Sequence, residues 1–344
     1  MSIAEKLTTI ADNEQKVYDK GKSDNLKKIW DIIQSNGKRN TYGHYNYSNA
    51  FQYQEWDEET FRPTYDIILK ENTQRLFLYC DFKGSLKKAL DNAGVKLDTS
   101  ACTTLQMCFY GMYNVTELPQ LDLRNATNNT SQLIHMCQKL KKVDGIICSE
   151  NTKFASDTFG TSIGALQDCI FSGVIGKNIW LSNLTGLNKE SIMSVINCLK
   201  DFGLVYSNDS TNWINFGEGL WLNGYKLTVN AEITEGKEYT VRIKDNGYGD
   251  EDETREFDFK CDLANMVQLN YADGFLEAKF VANETLSGEF DVGVLTNSSS
   301  ADLGSIEIRQ TPTTTRTLTL GTTLQDKLEE SDIAIATQKG WTIA

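Results

Sequence analysis

Proline is scarce in this chain, three residues in 344, and histidine scarcer still, at two. So few prolines argue against long Pro-rich or disordered linkers. With only His44 and His135, and no Cys-x-x-Cys pair among eight cysteines, metal-ligand spacing is absent. No stretch approaches the ~20 consecutive apolar residues that span a bilayer. The opening MSIAEKLTTIADNEQK lacks the basic flank and apolar core of a secretion signal, so synthesis in a cytoplasm is the expectation. Basic surplus is missing too: the formal charge is −13, which argues against a nucleic-acid partner. HExxH, P-loop and local Cys/His signatures do not occur, and the expectation is a non-enzyme with no catalytic residue, metal or cofactor.

What is present is repetition. CFYGMYNVTELPQLDL, Cys108 to Leu123, is followed by LIHMCQKLKKVDGIIC, Leu133 to Cys148. A shift of 25 positions puts Met112 on Cys137, Val115 on Leu140, Leu118 on Val143 and Leu121 on Ile146. LQDCIFSGVIGKNIW, Leu166 to Trp180, fits as a third copy with an offset of 33, the excess taken by the loop ENTKFASDTFGTS. Apolar residues at every third position, passing into a short β-type run, predict a leucine-rich solenoid. An ordinary α/β domain with chance spacing is the plainer alternative. Cys108, Cys137 and Cys169 fall in or beside apolar repeat positions, where thiols serve as small core groups.

Around the repeats the pattern changes. Ser2 and Glu5 have capping-box spacing, and Ile3, Leu7, Ile10 and Val17 follow a heptad frame. Leu26, Ile29, Trp30 and Ile33 continue a helical stripe that Asn36-Gly37 ends. So narrow a stripe needs a partner surface, and residues 1–36 read as a docking or oligomerisation arm. RNTYGHYNYSNAFQYQEWDEETF, Arg39 to Phe61, is rich in rings and poor in aliphatics. It reads either as a sugar-stacking surface or as an irregular cap over the first turn of the array. Leu187 to Glu190 opens a helix whose Ile192, Val195, Ile196 and Leu199 share one face.

The segment GVIGKNIWLSNLTGLNKESIMSVINCLKDF, Gly173 to Phe202, resembles the last repeat of a family of short bacterial-surface-type leucine-rich repeat proteins. These are encoded among the tail genes of phages and prophages of gut Firmicutes. MSIAEKLTTIADNEQKVYDKGK, FQYQEWDEETFRPTYDI and the closing RTLTLGTTLQDKLEESDIAIATQKGWTIA resemble the family's arm, following module and closing repeat. The resemblance covers residues 1 to 203 and 316 to 344 and carries no catalytic signature. It implies a virion tail or baseplate protein that meets other tail proteins and the host envelope.

One departure from that pattern stands out. Between the Ile192–Leu199 stripe and the closing repeat lie about 110 residues of β-type alternation, including KLTVNAEI, YTVRI, FLEAKFVA and GEFDVGVL. From Leu204 to Gln310 there are 20 Asp and Glu against 8 Lys and Arg, a net of −12 that leaves −1 for the rest. An acidic β-sandwich inserted at a loop tip is the expectation. Within it Trp213, Phe216, Trp221 and Tyr225 are interleaved with Asn212, Asn215, Glu218 and Asn223. Rings beside amides and carboxylates suit a sugar site, and equally a sandwich core. Asp250 to Glu253 form an acidic run that could hold calcium but lacks the D-x-D-x-D-G order of a calcium loop.

Together these readings predict an α+β protein: a short leucine-rich-repeat solenoid with an N-terminal helical arm and an inserted antiparallel β-sandwich. The expected parts are the arm at 1–36, a cap and first turn at 37–100, repeats at 101–203, the insert at 204–315 and a closing repeat at 316–344. The functional expectation is a phage virion tail or baseplate protein that binds a host-surface glycan or protein through the insert and the solenoid face. It would self-associate through residues 1–36 and bind neither nucleic acid nor membrane. A purely structural virion protein and a bacterial cell-surface adhesin are the alternatives.

Overall fold

The computed structural model describes residues 51–63, 66–208, 214–216, 223–245, 258–260, 270–272, 275–297, 303–312 and 316–344. The arm expected over 1–36 lies outside these residues, as does the start of the expected cap. The chain divides into two compact units. One is built from the chain up to Lys200 with Arg316–Thr337 and Trp341–Ala344; the other takes Asp201–Thr315 with Gln338–Gly340.

In the first unit the chain passes the same points again and again, laying short strands side by side in parallel. Glu55–Asp57, Asp81–Ser85, Val115–Leu118, Lys142–Cys148 and Asp168–Gly173 form one sheet in that order, with Leu121–Asp122 also paired to Lys142–Cys148. Leu118 faces Val143 and Leu121 faces Ile146, a step of 25 residues per circuit. The next circuit starts at a step of 26, with Cys169 opposite Val143, and returns to 25 after a register shift, with Phe171 opposite Ile146, rather than the Leu133-to-Leu166 step of 33. Further columns pair Ile67–Asn72 with Leu97–Thr104 and Phe109–Tyr110 with Ile134–His135. Ile179–Trp180, Arg316–Thr319 and Trp341–Ile343 complete a three-stranded parallel sheet in the same unit.

The α+β leucine-rich expectation is corrected here. Among the described residues the structure is mostly β, spread over several small sheets, and it holds no leucine-rich solenoid. The physical reason lies in the turns. Leu78 donates its amide to Arg75 O, Cys108 to Leu105 O, Leu133 to Thr130 O, Leu140 to Cys137 O and Leu166 to Ile163 O. Each is a single turn that brings every third residue inward and is not continued. Three-residue apolar spacing therefore looks helical in the sequence although no helix forms at these positions.

The inward residues are fully enclosed. Cys108, Met112, Leu118, Leu121, Leu133, Cys137, Leu140, Ile146, Leu166 and Cys169 have no exposed surface. Burying apolar area on this scale is the main force holding the circuits together. At one edge the helix Lys189–Cys198, capped by Asn188 whose side chain accepts from Ser191 N, buries Ile192, Val195 and Ile196. Its serines close the parallel ladder: Ser191 Oγ and Ser194 Oγ each accept, at 2.9 Å, from the Cys169 and Phe171 amides. An otherwise open strand edge is thereby satisfied, which removes a template for aggregation.

The second unit is antiparallel throughout. One sheet runs Leu204–Asn208, Leu303–Gln310, Glu238–Asp245, Phe275–Val281, Asn270–Ala272, and the other Ile214–Phe216, Asn223–Ile233, Leu286–Asn297, Asp258–Lys260. Val229 and Ile233 of the second sheet share a core with Tyr239, Val241, Ile243, Leu276, Phe280, Ile306 and Ile308 of the first, so the sheets pack face to face. The two ends of the unit are adjacent, since Gln310 N donates to Gly203 O at 2.7 Å.

Candidate ligand-binding surface

A ladder of rings follows one column of circuits in the first unit. Tyr53 stacks on Tyr79 with centroids 5.8 Å apart and planes 2° from parallel. Tyr79 meets Tyr110 edge-on at 5.3 Å and Tyr113 at 6.4 Å, and Tyr110 stacks on His135 at 4.8 Å. The backbone sets this spacing: Tyr53 N donates to Leu78 O, Tyr79 N to Tyr110 O and Gly111 N to His135 O. Tyr53 is 66% exposed and Tyr113 36%. These two present open rings to solvent, while Tyr79, Tyr110 and His135 are half-buried supports.

Two local features hold the ladder. Tyr53 (φ 57°) and Tyr79 (φ 53°) occupy left-handed corners, and Gly111 (φ 72°) and Met136 (φ 54°) turn the corresponding corners of later circuits. A non-glycine residue there costs about 1 kcal/mol or more, strain that clusters at ligand sites when the fold can hold it. Gly111 leaves room for Tyr79, since a Cβ on it would stand 2.4 Å from that ring. Beside the rings runs a polar chain: Lys139 Nζ donates to Asn114 Oδ1 at 2.7 Å, and Asn114 Nδ2 donates to Asp81 Oδ1 at 2.8 Å. Open rings next to amide, carboxylate and ammonium groups are what a sugar requires, apolar faces for its C–H side and donors and acceptors for its hydroxyls.

Two titrating groups sit in the ladder. The hydrogen bond with Tyr79 raises the Tyr110 phenol above its ordinary range. Burial lowers the His135 imidazole, and Asp157 opposes that only in part. His135 Nδ1 is buried without a hydrogen-bond partner while Nε2 faces Thr161 Oγ1 at 3.4 Å, so the imidazolium would carry an N–H at Nδ1 with no acceptor. The unfolded chain then binds the proton more readily than the folded one. Stability is full above the ordinary value near 6.5 and falls as pH drops from there toward the lower folded value. The expected result is a melting temperature that declines between pH 7 and pH 6 in the native chain and stays flatter in His135→Gln. Parallel pH profiles for the two proteins would remove this assignment.

A separate cleft of about 300 Å³ is lined by Lys87, Lys96, Asp91, Asp98, Asp122 and Asp144, among others. Its charges largely engage neighbours. Lys87 lies 2.6 Å from Asp91 and 3.8 Å from Asp144, and Asp122 binds Arg124 at 2.6 Å. Burial pushes the Asp122 carboxyl up, but the Arg124 hydrogen bonds outweigh it and hold it low. The thiols are also quiet. Burial raises Cys80, Cys102 and Cys137 to about 12 and lifts Cys108, Cys148 and Cys169 as well, so these remain protonated. Among the described residues no group of three or more His, Cys, Asp or Glu is placed to hold a metal.

Of the ring set read from the insert, Trp213 and Trp221 lie outside the described residues. Phe216 pairs with Gly224 and Tyr225 with Asn215, neighbouring steps of one antiparallel ribbon. Asp250 to Glu253 and His44 are likewise outside the described residues. Of the ladder's members, at 53, 79, 110, 113 and 135, only Tyr110 and His135 stand at the 25-residue repeat offset, as register partners; the others share no local motif, and only Tyr53 falls in the ring-rich stretch 39–61. No protein-family model matches the chain, and no curated protein matches it either.

Proposed function

We propose that this protein is a non-enzymatic binding protein that takes a glycan along the Tyr53–Tyr79–Tyr110–His135 ladder. The observation that carries the reading is the exposure of Tyr53 and Tyr113 on a strained, preorganised row of rings flanked by the Lys139–Asn114–Asp81 chain. Rigid rings lose little conformational entropy on binding, which makes them efficient anchors. The sequence resemblance supports a phage tail or baseplate setting, with a host-envelope glycan as ligand and neighbouring tail proteins as further partners. Self-association through residues 1–36 belongs to the same proposal.

The test uses purified cell-wall polysaccharide from candidate host bacteria and the full chain. Tyr53→Ala and Tyr113→Ala are each expected to weaken binding roughly tenfold, since an aromatic contact of this kind is worth up to about 1.5 kcal/mol. Their circular dichroism and melting should stay close to native, because neither side chain is part of the buried core. Unchanged affinity in the double variant, with folding intact, would sink the reading.

A further inference from the structure

A second concave site in the first unit is distinct in character from the ladder. A pocket of about 420 Å³ is lined by Lys153, Lys177, Arg316, Asn151, Asn178 and Trp180, with Thr127 and Phe154 completing it. Among the described residues no Asp or Glu lines it, although the chain carries 47 acids against 34 bases. Its residues come from corners of successive circuits: Lys153 N donates to Ala126 O, and Thr317 N donates to Asn178 Oδ1 at 3.0 Å. That second bond occupies the Asn178 oxygen and leaves its Nδ2 as a donor. Lys153 and Lys177 are exposed, and neither makes an ion pair within 4.0 Å to a described residue. Glu150 is close enough to feel Lys177, but it bonds to Lys200 instead.

The like charges of Lys153 and Lys177 at one hollow repel one another, a cost that an oxyanion placed between them would turn into attraction. The half-buried Trp180 ring adds an apolar wall beside them. We infer that this pocket binds an anionic carbohydrate group, a phosphate or carboxylate joined to an apolar carbon face, with Lys153, Lys177 and Arg316 meeting the oxyanion and Trp180 the carbon face. The inference does not depend on the ladder, since the two sites share no residue.

The experiment is ligand-observed NMR on the full chain at low ionic strength with inorganic phosphate, glycerol 3-phosphate, glucuronate and uncharged methyl glucoside. Organic anions are expected to bind, methyl glucoside not to, and added salt to weaken the binding. Which of the two organic anions binds more tightly separates a polyol phosphate source from a uronate one. Lys153→Glu combined with Lys177→Glu should lower affinity at least tenfold while the melting temperature stays near native, because both side chains are on the surface. Trp180→Ala should weaken the organic anions several-fold and leave inorganic phosphate unchanged. Failure of every anion to bind, equal binding of methyl glucoside, unaltered affinity in the charge-reversed variant, or preference for an oligonucleotide over all of these would overturn it.

Discussion

Replacing Gly173 by alanine is expected to lower the melting temperature of the parallel-stranded unit by roughly 10 °C, from a loss of about 3–4 kcal/mol. Two costs add at this position. Its φ of +87° is a conformation that L side chains rarely adopt, and a Cβ there would stand 2.1 Å from the Cys148 carbonyl oxygen. Gly173 is the register partner of Cys148, so the obstacle is the backbone of the paired strand and cannot rotate away. Gly94→Ala separates the two effects. It also has positive φ, +67° at the end of the helix Leu86–Ala93, but its Cβ would meet nothing within 4 Å. That variant should lose only the left-handed penalty of about 1 kcal/mol, a few degrees of melting temperature. Calorimetry on both proteins decides the matter. If Gly173→Ala melts no lower than Gly94→Ala, the strand Asp168–Gly173 does not pair with Lys142–Cys148 in this register.

Part of that register is legible in the amino-acid sequence. The 25-residue offset between the first two copies puts Leu118 on Val143 and Leu121 on Ile146, and these pairs are register partners. It works there because both circuits carry inward residues at the same points. The third copy misleads because leucines and isoleucines recur at many offsets; the paired strands step by 26 at Asp168 and Cys169 and by 25 from Phe171 on. The helix Lys189–Cys198 is legible because its Asn188 cap and its 3-4 spacing agree with each other. The left-handed corners are not. Tyr53, Tyr79 and Met136 give no turn signal, and tertiary packing imposes the conformation on residues whose own preference is against it. Since those corners aim the ladder, the candidate site is the least readable part of the chain.

Phe77→Ala should cost about 4 kcal/mol, because removing a fully buried ring loses its transfer free energy and leaves a cavity. Phe77 lies between Phe51, at 5.1 Å, and Phe109, at 5.5 Å, so one deletion opens contacts in three successive circuits. Phe77→Leu keeps most of the volume and should cost no more than about 1.5 kcal/mol. Urea titration of both variants measures the difference, and equal losses would mean that the inner ring column is not close-packed. The outer column answers differently. Tyr79, two residues on, is only half-buried, so Tyr79→Ala should cost about 1 kcal/mol of folding stability. It should nonetheless weaken glycan binding, because Tyr53 would lose the ring it stacks on. Phe77→Ala reaches the same site by another route: Phe77 N bonds Cys108 O, Tyr79 N bonds Tyr110 O, and loosening the first pair loosens the second. The inner variant should therefore lose stability and binding together, and the outer one binding with little loss of stability. That contrast separates rings that hold the circuits from rings that present a surface.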